Sequence, residues 1–483
     1  MKAAYRVRVC AVLLLSVALI CSPSWGSYPY AKLRPESLKQ KPLQFSPPEP
    51  HRAVLPNGMV VYVLEDRSLP LVSVAAYVKA GSVYDPPERI GLASIVGSVM
   101  RTGGAAGKSG DQIDEELETI AASVDCSVGP EYATVRLSTL SRHCEKALQL
   151  FADILTKPDF QEDKLNLAKQ QALEAIRRRN DYPYNIASRE FARLVYGKES
   201  PWAWISTPDT IKAIRRSDLV EFHSKFYRPN NTILAVSGDF KKDEIIQQLN
   251  GLFASWQAQE VVFPKIQPVE ERFTPGLYLI HKDVPQSVIV MGHLGVRRLS
   301  PERYAIQVLN SVLGAEGFIS RMVSRVRTER GLAYSVWAAI SPGADRGLFR
   351  AVAMTRSSNA AEAIKLMRET IAEMLSKPPS DEEMAVAKNT IVNSFIFEYD
   401  TPEKLVNARA ELELLGYPPD YLKTFPDGIR AVTKQDVLAA ARKYLNPDKM
   451  VILVVGNSAE LRKQLQEVGS VTDLALESYE DGG

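Results

Sequence analysis

The chain repeats itself. TKPDFQEDKLNLAKQQALEAIRRRNDYP at 156–183 is matched by SKPPSDEEMAVAKNTIVNSFIFEYDTP at 376–402, and SDLVEFHSKFYRPNNTILAVSGD at 217–239 by KQDVLAAARKYLNPDKMVILVVGN at 434–457. The offset stays close to about 219 positions in both stretches, which marks duplication of one domain of that size. The 483 residues suit two such domains, each large enough for its own core. Each copy mixes strands with helices. In the first, LPNGMVVYVLED reads as a strand after an Asn-Gly turn and LVSVAAYVKAG as a second strand. Helical patterns at 88–101 and 110–123 come next, then strands at 124–128 and 132–139. A helix at 142–157, a long helical stretch from about 160 to 196 and a strand in NNTILAVSGD close the copy. The expected class is α+β: two tandem homologous domains, each a mainly antiparallel sheet with helices packed on one face. The domains fall at 51–256 and 276–470. Pro264, Pro268 and Pro275 mark 257–275 as a linker, and 471–483 reads as an acidic tail.

The first residues read as a leader. MKAAYRVR is basic, VCAVLLLSVALI is apolar, and Ser24 and Gly26 suit a cleavage site, giving a signal peptide at 1–26 and a Pro-rich lead-in at 27–50. The apolar run is short for a membrane span, which needs about 20 residues. The expectation is export, to the periplasm of a Gram-negative bacterium, with no stable span in the mature form. Cys126 and Cys144 remain after cleavage. If GPEY closes a hairpin they stand near opposite ends of one strand, too far apart for a disulfide, so both are expected free. The formal net charge of +2 and the lack of a long basic run exclude a nucleic-acid groove.

GLASIVGSVMRTGG at 91–104 reads as a short helix ending in glycines, with Ser94, Gly97 and Ser98 at i, i+3 and i+4 on one face. In metal enzymes this spacing carries two histidines and a glutamate; here those side chains are missing. The five histidines (His51, His143, His223, His281 and His293) form no pair with ligand spacing on one helix. The simplest reading of Ser94, Gly97 and Ser98 is therefore close helix packing.

The Asn-Gly hairpin, KAGSVYDPPERIGLASIVGSVMRTGG, EAIRRRNDYP and LGAEGFISRMVSRVRTERGLAYSV together resemble the pitrilysin/insulinase-type zinc peptidases. The similar branch has two-domain subunits and includes mitochondrial processing peptidase and the complex III core proteins. In active members the helix carries H-x-x-E-H: the histidines hold zinc, the glutamate serves as general base, and a later glutamate completes the ligand set. The resemblance places the first histidine on Ser94, the glutamate on Gly97, the second histidine on Ser98 and the late glutamate on Ala175, with Glu174 adjacent. It implies a degenerate zinc site, with no metal or cofactor in this chain.

The second copy keeps more. In SRVRTERGLAYSVW a helix through Met322, Val323 and Val326 can end at Gly331, and LAYSVWAAI reads as a strand. Arg327 and Tyr334 are seven apart, and the turn can aim both at one point. The resemblance gives an arginine and a tyrosine at this spacing a catalytic role: stabilising the oxyanion or holding substrate opposite the zinc. Arg330 is the rival arginine, at the wrong spacing. The implied function is that of a zinc-free subunit of a heterodimeric metallopeptidase, inactive alone. Its partner would be a homologous H-x-x-E-H-bearing subunit that brings the zinc, and the pair would hydrolyse unfolded peptides. The alternative is a non-catalytic scaffold or peptide-binding subunit resembling the complex III core proteins.

Overall fold

The computed structural model describes residues 47–477 apart from 316 and 318. The expected leader, most of the lead-in and the last residues of the expected tail lie outside the described residues. Each copy builds a six-stranded sheet. The first comprises β1 (His51–Val54), β2 (Val60–Glu65), β3 (Leu71–Val78), β4 (Ser123–Val128), β5 (Ala133–Leu140) and β6 (Thr232–Gly238), in the order β1-β2-β6-β3-β5-β4. The second comprises β7 (Gly276–His281), β8 (Gln286–Leu294), β9 (Ala333–Ser341), β10 (Leu348–Arg356), β11 (Val451–Gly456) and β12 (Val471–Asp473), in the order β12-β7-β11-β8-β10-β9. Strands β7 to β11 thus occupy the places of β2 to β6. In both sheets the late strand inserts parallel to the first, β6 beside β2 and β11 beside β7, and β12 is also parallel to β7. The other pairings are antiparallel. The expected α+β class with two like domains is what the molecule adopts.

Five helices shape the clefts and the contact between the copies: α1 (Leu92–Thr102), α2 (Glu162–Arg178), α3 (Pro183–Tyr196), α4 (Asp381–Glu398) and α5 (Pro402–Leu414). The stretch expected as one helical run from 160 to 196 is therefore two helices. Pro183 sits at the start of α3, where its missing N–H costs nothing, and it forces Tyr182 into extended backbone (φ −107, ψ 122). Pro402 does the same to Thr401 (φ −119, ψ 150), whose side chain also caps α5.

These breaks let a helix leave its own copy. Ile186, Ala187, Phe191 and Val195 of α3 pack into one cluster with Val288, Val290, Leu453 and Val455 of the second sheet. In exchange, Val406 and Ala410 of α5 pack against Tyr62, Ala75, Tyr77, Ile233 and Ala235 of the first. Each copy's own helices keep to one face of its sheet, as expected, and the helix lent by the other copy covers the second face. The reason lies in strands such as ILAV in β6 and VILVVG in β11, buried at every position. A single covered face would leave half of those side chains in water. Polar groups finish the exchange: Arg52 donates to Glu413 at 2.8 Å, Tyr132 to Glu411 at 2.6 Å and Tyr77 to Asn407 at 3.0 Å.

Residues 257–275 hold no regular element, but Val261, Phe263 and Ile266 pack on the first core, and Val269 and Phe273 on the α3 cluster. The stretch from 471, expected to be a tail, begins as strand β12. Leu474 and Leu476 then pack beside α3, and Glu477 pairs with Arg193 at 3.0 Å. Leucines at alternate positions, together with ion pairs, hold the stretch in place. Among the described residues no helix is long and apolar enough to cross a membrane. Cys126 and Cys144 are free, as expected, and burial pushes their thiols up to about 12 and about 11.

Candidate functional site: a degenerate metal cleft and an Arg/Tyr pair

Helix α1 is held at its start by Asp85, on the loop after β3. Its carboxylate accepts hydrogen bonds from the Gly91 and Ala93 N–H groups, both at 2.8 Å. The acceptor satisfies N–H groups that a helix start leaves orphaned, and its charge suits the positive end of the dipole. Gly91 adopts φ +106, a conformation that disfavours a side chain. Burial pushes the Asp85 carboxyl up to about 7, against the downward pull of those hydrogen bonds.

Helix α1 packs on α2, and this brings Ser94 and Ala175 to one cleft of about 400 Å³. Asp85, Arg179, Arg189 and Trp204 also line it. Two positions that lie far apart in the chain, and that the resemblance assigns to one ligand set, thus share a cavity. Gly97 faces elsewhere: a Cβ there would stand 2.7 Å from Cγ2 of Val128, so α1 is pressed against the end of edge strand β4. Ser94, Ser98 and Ala175 are exposed. Glu174 pairs with Arg177 at 3.2 Å and is not part of the cleft lining.

The donor set decides whether zinc fits. Two hydroxyls, a hydrogen and a methyl offer neither imidazole, thiolate nor carboxylate, the groups that bind zinc in proteins. These residues do not fit the metal. Among the described residues no group of three His, Cys, Asp or Glu side chains could hold an ion. His223 is buried with Nε2 on the Leu155 carbonyl at 2.9 Å, and burial holds it down to about 4. His293 is likewise buried, with Nδ1 on the Leu294 carbonyl at 2.8 Å.

Sequence reasoning did not single out Asp85, Arg179, Arg189 or Trp204. Arg179 donates to the Ser206 carbonyl at 2.8 Å, and Arg189 to Asn180 Oδ1 at 2.7 Å and the Arg179 carbonyl at 3.2 Å. The run RRRN at 177–180, next to the helix-breaking Pro183, was the available signal.

In the second half, Val323–Glu329 forms a π-helical segment, wider than the expected α-helical turn. Gly331, at φ +61, ends it: its N–H bonds the Arg327 carbonyl at 3.1 Å and that of Leu332 the Val326 carbonyl at 2.9 Å. The chain then enters β9. This geometry carries the Arg327 guanidinium to 5.9 Å from the centre of the Tyr334 ring. Tyr334 stands on an edge strand and is 77 % exposed. The neighbouring arginines are tied to carboxylates: Arg321 to Glu383 and Arg325 to Glu373, each at 2.6 Å, and the rival Arg330 to Glu362.

A model of the insulinase peptidase family M16 matches residues 60–199, and one of the peptidase M16 inactive domain matches 213–391. The chain belongs to the M16 family. Its match to a Rickettsia felis protein named an uncharacterized zinc protease is 27 % identical over 71 % of this chain and 82 % of that protein. A Helicobacter pylori protein named a non-peptidase homolog is 22 % identical over 84 % of this chain and 94 % of its own length. The crystal structure of a peptidase M16 inactive domain from Pseudomonas fluorescens superposes with a TM-score of 0.75 at 28 % identity, covering 84 % of this chain and 98 % of that one. This M16 chain therefore sits in a family whose named members span both zinc proteases and a non-peptidase.

Proposed function

We propose that this M16 chain is the zinc-free subunit of an exported, periplasmic heterodimeric metallopeptidase. Arg327 and Tyr334 act in trans on peptides cleaved at the zinc of a homologous partner that carries H-x-x-E-H. One observation supports this reading above the others. The four ligand and base positions carry no zinc donor, while an arginine and a largely exposed tyrosine stand together on the second half. An exposed aromatic beside a guanidinium contributes little to a core, but both groups offer hydrogen-bond donors to a peptide carbonyl or a developing oxyanion.

The chain itself contributes binding and charge stabilisation only. The Arg327 N–H groups and the Tyr334 hydroxyl hold the substrate backbone; no step of hydrolysis passes through Ser94, Gly97, Ser98 or Ala175. Peptide hydrolysis measured for this chain alone, for an H-x-x-E-H-bearing homologue from the same genome alone, and for the mixture tests the reading. Activity only in the mixture supports the split site. Full activity of the homologue alone would make this chain a scaffold or peptide-binding subunit instead.

A further inference from the structure

The second half carries its own version of the cleft. With the offset of about 219 positions that the long helices keep, Ala172, Ala175, Ile176 and Arg179 of the first cleft correspond to Ile391, Ser394, Phe395 and Glu398. All four of the latter, from α4, line a cavity of about 400 Å³ in the second half. Duplication has left two equivalent concavities with different chemistry.

One wall of the second is a run of aromatic rings. Tyr417 lies 4.6 Å from Tyr421, Tyr421 5.6 Å from Phe425, Phe425 4.3 Å from Phe395 in a near-parallel stack, and Phe395 4.7 Å from Tyr399. All five line the cavity. Rings that brace one another in this way give a preformed apolar surface at little entropic cost. The charged groups of the lining are Arg297, Arg298, Arg303 and Glu398, and Arg297 is paired with Asp345 at 2.8 Å. Arg298 is paired with Glu131 of the first half. Arg303 lies over the Tyr304 ring at 4.4 Å and gives Nη2 to the Tyr304 hydroxyl at 3.2 Å. Its buried Nε has no hydrogen-bond partner. Among the described residues no carboxylate pairs with Arg303, so its charge stands at the cavity wall without a counter-ion, as a carboxylate ligand would require.

We propose that this cavity binds an α-carboxylate bearing an aromatic or large apolar side chain, with the carboxylate on Arg303 and the side chain against the aromatic wall. The volume holds a residue or two, not a folded chain. Two sources share this chemistry: the C-terminus of a peptide and a free aromatic amino acid. Glu398 separates them. It would pair with the ammonium group of a free amino acid, whereas a peptide C-terminus brings no positive charge to it.

The test uses the full chain alone, so its result is independent of whether a zinc-bearing partner exists. Fluorescein-labelled Ala-Ala-Ala-Phe is titrated as free acid and as C-terminal amide by anisotropy, and free phenylalanine by calorimetry. The acid should bind at least about 10-fold more tightly than the amide, the usual scale for one charge-assisted contact. Arg303→Gln should abolish that preference. If the source is a peptide end, the labelled acid binds, phenylalanine does not, and Glu398→Gln leaves the peptide's affinity equal or higher. If it is the free amino acid, phenylalanine binds and Glu398→Gln weakens it. Equal affinity for acid and amide, or no binding of either acid, overturns the proposal. So does an acid preference that survives in Arg303→Gln. The acid–amide contrast on the unaltered chain decides the matter even if a variant does not fold.

Discussion

Replacing Gly97 with alanine should destabilise the protein, although alanine is the better helix former. In an open helix the change would gain about 1 kcal/mol. Here the new Cβ would stand 2.7 Å from Val128 Cγ2. Carbon atoms prefer separations of about 3.5–4.0 Å, so one side must move by roughly 1 Å. Val128 has little freedom to yield. It is β-branched and paired with Ala133 at the hairpin end of β4. Overpacking of this kind costs about 1–3 kcal/mol, which leaves a net loss of up to about 2 kcal/mol. Shortening the opposing side chain removes the clash, so in a Val128→Ala background Gly97→Ala should stabilise by up to about 1 kcal/mol. The double-mutant cycle would then show a coupling of about 1–3 kcal/mol. Denaturant unfolding at constant m measures all four proteins. If Gly97→Ala shifts the midpoint equally in both backgrounds, glycine is not there for packing and the reasoning fails. The consequence reaches the site: S94H, G97E and S98H together would still press the new glutamate stem into Val128, so restoring the motif letters alone should not build a zinc site.

Arg327→Ala or Tyr334→Phe should each lower turnover by the reconstituted pair by roughly 10²–10³-fold without changing assembly on gel filtration; unaltered turnover in both would demote the pair to structure. Phe191→Ala empties a fully buried site between α3 and the second sheet and should cost about 3–5 kcal/mol. Because α3 belongs to the first copy, chemical denaturation should show both halves losing stability in one transition; two separate transitions, one of them unshifted, would contradict the helix exchange. Asp85 makes stability pH-dependent with a defined sign. Its folded value of about 7 lies above the ordinary 3.8, so the folded state holds the proton more tightly. The stability gained is full below about pH 4 and is lost as pH rises through about 7. Stability of the parent minus that of Asp85→Asn should fall across that window, and a rise would show that the cap hydrogen bonds outweigh burial.

Much of this was legible in the sequence because it depends on local pattern. The repeat at 156–183 and 376–402 announced two like domains, and Gly331 announced the end of the segment carrying Arg327. That Ser94, Gly97, Ser98 and Ala175 carry no zinc-binding side chain is read directly from the residue letters. Elsewhere local pattern misled. A helical stretch from 160 to 196 looks continuous by periodicity, yet Pro183 divides it, and the residues from 471 look like a tail yet form β12.

Only the tertiary structure decided which surfaces meet. An apolar helix face such as Ile186, Ala187, Phe191 and Val195 declares that it will be buried, not against what, because hydrophobic burial has no direction. The exchange of α3 and α5 between copies and the meeting of Ser94 with Ala175 join segments distant in the chain. The conformation that joins them is selected by total burial and polar pairing over the whole molecule, which no window of the sequence contains.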